Sequence, residues 1–184
     1  MLVNLRYLVC LIGISSACNA AAASYEISSD DSAIRFAGEL SGERFDGQFH
    51  EFNGRIEFDP EALDDTQFYV EIQMSSVDTQ SEERDEALAT SEWFDPQQFP
   101  SALFQATGAK QVDAGYLSQA SLKIRSIVRP VAFSFSVDES GKMLRGKATL
   151  NRIDWDLGGE DWSDEELVSH TVLVEVEVKL NPSD

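Results

Sequence analysis

The chain has two histidines, His50 and His170, and Ser169-His170 is the pair whose residue types suit nucleophilic catalysis. Neighbours along a strand point to opposite faces, so this serine and histidine cannot share a proton as a nucleophile and its base must. His170 reads instead as an ordinary strand-edge residue. The acidic run Asp154, Asp156, Glu160, Asp161, Asp164, Glu165 and Glu166 offers the oxygen ligands that calcium takes. Its spacing fails the EF-hand loop, with Gly158 where a ligand should stand and Glu166 one place too late. A solvated acidic loop is the plain reading, with no metal site. The sequence contains no phosphate-cradling glycine loop, zinc spacing or haem-attachment motif. These residues predict neither catalysis nor a resident cofactor.

Charge excludes another class. The 184 residues carry 33 acidic and 14 basic side chains, a formal net charge of -19. Such a polyanion repels nucleic acid and anionic membrane surfaces, and its plain meaning is a well-solvated surface. The length suits one sizeable domain with its own core.

The first residues differ in composition from the rest. Arg6 is the single charge ahead of the apolar run Leu8 to Ile14, and small residues crowd from Ser15 to Ala23. Basic, apolar and small segments in that order describe a Sec-type signal peptide over 1–23, too short to span a bilayer, with cleavage expected near Ala22 and Ala23. Export to the periplasm is the expectation. Cys10 and Cys18 both fall in this leader, which leaves residues 24–184 without a thiol or a disulfide. Acylation at Cys18 is the rival reading. It is off-pattern, because the branched aliphatic usually wanted three residues upstream is four upstream, at Ile14.

Period-two alternation dominates the chain beyond residue 30. Phe68, Val70, Ile72 and Met74 alternate with Tyr69, Glu71, Gln73 and Ser75; Val131, Phe133, Phe135 and Val137 alternate with Ala132, Ser134, Ser136 and Asp138; and Val172, Val174, Val176 and Val178 face away from Glu175, Glu177 and Lys179. Weaker copies run over 33–37, 52–58, 102–106, 121–125 and 143–150, and turn signals such as Asp59-Pro60 and Glu139-Ser140-Gly141 separate them. One interval reads as helix, near residues 80–90. Thr79 to Glu82 forms a candidate capping box ahead of it, and Trp93-Phe94-Asp95-Pro96 ends it. The class is all-β, a lipocalin-like antiparallel barrel of about eight strands with one short helix. A barrel of that size is either just filled by its side chains or holds one small ligand, and alternation leaves both open.

The sequence resembles the YceI-like family of exported polyisoprenoid-binding proteins across residues 24–184. The resemblance is carried by Phe45 to Phe49 followed by Gly54 to Pro60, by Ile72 to Thr79, and by Arg84-Asp85 with Leu88. It continues through Trp93-Phe94-Asp95, Phe99-Pro100 with Ala102 and Phe104, Arg129-Pro130-Val131, and Asn151-Arg152 with Asp154-Trp155. The chain departs from the family pattern at Ala120 and Ser126, where glycines are usual, at Lys123, at Trp155-Asp156, and near Glu39, where an early histidine is common. Gly38-Glu39, Gly42 and Phe45, with Trp162, are more similar to the branch associated with membrane b-type cytochromes.

This resemblance implies a barrel that binds an isoprenoid-type amphiphile, a polyprenyl phosphate or a quinone, and acts as its periplasmic carrier. A ligand-free accessory domain of a membrane b-type cytochrome is the alternative, and a homodimer is also among the expected assemblies. The inward stripes would then line the cavity with Phe36, Phe58, Val70, Ile72, Met74 and Phe104. Leu122, Ile124, Val131, Phe133, Phe135, Val174 and Val176 would complete the lining. Each buried methylene of a prenyl tail gains about 0.8 kcal/mol in such a tunnel. A polar head would stay at the mouth, where Arg84, Arg125, Arg129 and Arg152 are candidate contacts. The competing use of each is a structural ion pair, above all for Arg84.

Overall fold

The computed structural model describes residues 23–182, so both cysteines and all of the expected leader except Ala23 lie outside the described residues. Alternation becomes strand over most of the remainder. The first seven strands are β1 (Ala23–Ser28), β2 (Ala33–Leu40), β3 (Glu43–Phe49), β4 (Phe52–Phe58), β5 (Gln67–Gln73), β6 (Val77–Asp78) and β7 (Ser101–Thr107). After them come β8 (Lys110–Val112), β9 (Gly115–Ile124), β10 (Ile127–Val137), β11 (Met143–Asn151), β12 (Thr171–Lys179) and β13 (Asn181–Pro182), with one helix, α1 (Glu82–Leu88).

Among the described residues thirteen strand segments stand where periodicity suggested about eight; four corners account for most of the difference, and β8, which pairs with β9 just beyond β7, for the rest. β1 pairs with β4 and β13 while β2 pairs with β3 and β12, so β1 and β2 form one bent course. β3 and β4 bend together at 50–51, and β5 and β6 bend at the 3-10 turn Met74–Ser76. β12 runs through Leu180 into β13. The courses then pair in chain order through β7, β9, β10 and β11, every ladder antiparallel, and the last returns to the first. A circuit of pairing leaves few open edges, the usual gain of a barrel. Corners escape a sequence reading because a strand can bend without a glycine or proline to mark it.

One face of each course is apolar. Val131, Phe133 and Phe135 of β10 are buried, while Ala132, Ser134 and Ser136 between them are exposed. Inward residues gather in two clusters, one towards each end of the barrel. Phe58, Phe68, Phe133 and Phe135 belong to the first, and Met74, Leu122, Val131 and Trp155 to the second. The outer face is charged: Glu177 meets Arg145 at 3.0 Å and Arg35 at 3.3 Å, and these hydrogen bonds hold its carboxyl below the usual carboxylate range.

Thr66 is fully buried and its Oγ1 has no hydrogen-bond partner among the described residues. Removing an unsatisfied hydroxyl at nearly constant shape relieves its desolvation cost, so Thr66→Val should stabilise the barrel by about 1 kcal/mol. Urea denaturation measures this; a destabilised variant would mean that the hydroxyl finds a partner in solution.

Candidate functional site

Between the two clusters lies a cavity of about 480 Å³, within the range of sites that take small ligands. Its wall is almost wholly apolar. Phe36, Val174 and Val176 line it from β2 and β12, yet these inward side chains are only half-buried. In a filled barrel such residues would pack against partners and lose their remaining accessible surface. Phe49, Ile72, Phe104 and Ala148 pack against both clusters and mark the waist between them.

Most of the residues expected from the stripes do line this space: Phe36, Val70, Ile72, Met74, Phe104 and Leu122, then Ile124, Val131, Phe133, Val174 and Val176. Phe58 and Phe135 do not. They are buried below the cavity in an interlocked aromatic floor, where Phe58 meets Tyr116 at 5.0 Å and Phe135 at 5.6 Å. Phe135 in turn meets Phe68 at 5.1 Å. Edge-on and offset ring pairs of this kind fill the barrel end by packing. Alternation fixes which face a residue occupies and says nothing of its height along the axis, which is why the stripe continued past the cavity.

Helix α1 and two loops cover the other end. Ser81 caps α1 by accepting the Arg84 N–H at 3.4 Å, so the cap falls two residues later than the expected Thr79. Thr79 is engaged elsewhere, since its N–H and hydroxyl both donate to Asp85 Oδ1, at 2.9 and 2.7 Å. Glu82, Glu83 and Asp85 in the first turn suit the positive end of the helix dipole. Ala87 and Leu88 face the cavity from this helix, and Glu83, which is exposed, stands at its mouth. From the loops come Trp93, Phe94 and Trp162, the two indoles 6.1 Å apart. Stripe reading missed these residues because they lie outside the strands. Bulky aromatics stranded in turn-rich, acidic segments were the available signal.

The four arginines meet different fates. Arg129 Nε donates to the Asp154 carbonyl at 2.8 Å, and Arg125 lies over the Phe99 ring at 5.5 Å; neither is among the residues lining the cavity. Arg152 lines it, but is only 3% exposed and is committed to backbone. Its Nε donates to Ser169 O at 3.0 Å, Nη1 to Leu157 O at 2.6 Å, and Nη2 to Val168 O at 2.9 Å and to Trp162 O. Burial pulls its pKa below the ordinary arginine value. With both Nη2 hydrogens and Nε occupied, no fork remains for two-point binding of a phosphate. Arg152 instead pins the loop 156–168 over the barrel. Arg84 lines the cavity with part of its guanidinium uncommitted.

The remaining candidates for chemistry are dispersed. His170 Nε2 lies 2.8 Å from Ser163 O, while Ser169 Oγ donates to Thr171 O at 3.0 Å and accepts from Glu39 N, so the two side chains serve separate turns. Among the described residues, no group of three or more histidine, cysteine or carboxylate side chains is arranged to hold a metal ion.

Residues 25–180 match the model of the YceI-like domain. A UPF0312 protein of Photorhabdus laumondii is 28% identical over 96 residues, which is 52% of this chain and 50% of that protein. One of Yersinia enterocolitica is 30% identical over 95 residues, with 52% and 50% covered. These matches span about half the length of the curated relatives. Among solved structures, Burkholderia cenocepacia BcnA superposes with a TM-score of 0.78 at 18% identity, over 84% of this chain and 99% of that one. A polyisoprenoid-binding domain from Saccharophagus degradans superposes with a TM-score of 0.65 at 13% identity, over 88% and 99%. At these identities the superpositions establish the shared fold.

Proposed function

Because the chain belongs to the YceI-like domain family, we propose that it is an exported carrier whose barrel holds the tail of an isoprenoid-type amphiphile. The half-buried apolar side chains around the cavity of about 480 Å³ carry this reading. Each methylene that moves from water into such a space gains about 0.8 kcal/mol, so a long prenyl tail partitions strongly into it. The Saccharophagus degradans neighbour, described as a polyisoprenoid-binding domain, supports the same ligand class. A ligand-free domain docked on a membrane cytochrome would have no use for an unfilled interior, so the cavity favours the carrier. Export to the periplasm is supported by the basic, apolar and small-residue order of 1–23.

Native mass spectrometry of protein purified from its host tests the carrier. The expected result is one bound mass whose fragments are spaced by isoprene units. An empty barrel across several preparations would sink the proposal. Fractionation of the same cells should place the protein in the periplasm, and a cytosolic pool that retains residues 1–23 would overturn the export reading.

A further inference from the structure

Leu40, Phe45 and Arg84 line the barrel cavity and also line a second hollow, a polar groove of about 530 Å³. The two spaces therefore share a wall of three side chains. We infer that this groove is the head-group subsite of the carrier, where a head bearing acceptor oxygens rests on the Arg84 guanidinium while the tail lies in the barrel. The inference rests on the carrier reading of the cavity.

Arg84 is held ready for this. Its Nε donates to Thr79 Oγ1 at 3.1 Å and its Nη2 to Thr79 O at 3.0 Å, and its guanidinium lies 4.9 Å from the Phe45 ring centroid. Thr79 is itself 2% exposed and anchored to Asp85, so the guanidinium is fixed from one side. Among the described residues no carboxylate oxygen lies within 4 Å of it, whereas the groove's other arginines are paired, Arg35 with Glu177 and Arg44 with Asp46. An arginine has five N–H donors, and the two bonds to Thr79 leave both Nη1 hydrogens and one on Nη2. That end of the fork matches a pair of acceptor oxygens.

The rest of the groove suits a polar head. Gln48 and Gln80 supply neutral hydrogen-bonding groups, and Glu43, Asp46 and Asp78 offset the three arginines. A phosphate and a quinone carbonyl share the acceptor chemistry that Arg84 recognises. Phe45 stands between the two spaces with its flat face against Arg84, so a tail passes from groove to barrel beside an apolar ring.

The test uses three probes with the same tail, namely farnesene without a head, farnesyl phosphate, and a quinone bearing a farnesyl chain. Affinities are read from quenching of the intrinsic tryptophan fluorescence. Arg84→Gln should weaken at least one headed probe about tenfold or more and leave farnesene within about twofold. Loss confined to the phosphate or to the quinone identifies the source of the acceptor. Gln48→Trp, at a position that lines the groove and not the cavity, should also weaken the headed probe and spare farnesene. Headed probes unaffected by both substitutions would overturn the subsite, as would an equal loss for all three probes. Failure of every probe to bind the unaltered protein would overturn the carrier reading itself, and the subsite with it.

Discussion

Replacing Arg152 with alanine should cost about 3–5 kcal/mol, because the carbonyls of Leu157, Trp162, Val168 and Ser169 lose their shared donor at once. Each buried acceptor left unpaired costs about 1–3 kcal/mol. The total falls below the plain sum because a loosened loop returns some carbonyls to water. The damage should be local before it is global. Hydrogen exchange should quicken through 156–168 while the amides of β9 and β10, joined by a ladder of nine residue pairs, stay protected. Lysine should not rescue, since an ammonium has three donors on one atom and cannot reach carbonyls spread around a planar guanidinium. A loss under about 1 kcal/mol in urea denaturation would show that the loop is held by other means.

Filling the cavity separates a ligand site from a packed core by the sign of the effect. Val174 lines the cavity from the middle of β12, with Phe36 and Ala148 as its cross-strand neighbours. In a filled interior Val174→Trp would overpack and cost about 1–3 kcal/mol. In the observed space the indole should find room and stabilise the unliganded barrel by about 1 kcal/mol through its added buried area. On the carrier reading it should also displace part of a bound tail. Excluding two methylenes removes about 1.6 kcal/mol of binding, which is rather more than tenfold in affinity. Higher thermal stability together with weaker lipid binding is the expected pair of results. Destabilisation with unchanged binding would mean that the tail lies elsewhere.

The fold was largely legible from period two. β10 and β12 read directly, because one face of each is apolar and the other polar or charged, and only a sheet with one wet face satisfies both. The helix was legible from the Thr79 to Glu82 box and the charged residues after it, but the cap is Ser81, because Thr79 is bonded to Asp85 instead. The corners at 50–51 and at Leu180 were not legible, since nothing in residue type distinguishes a bent course from two strands. The site was legible as a face and not as a place. Val131 and Phe135 share an inward stripe of β10, yet one lines the cavity and the other plugs the floor beneath it.

The sequence determined the greasy interior through its alternating Phe, Val and Ile. Whether it is filled was a tertiary matter. Volume depends on how far apart opposite walls stand, and no pattern along one strand carries that distance. The same holds for the arginines. Arg84 and Arg152 are one residue type in two segments, but carbonyls brought together from 157, 162, 168 and 169 occupy one, while Thr79 holds the other with part of its fork uncommitted. Sequence determined the residue types and their faces, and tertiary structure decided which of them still have bonds to give.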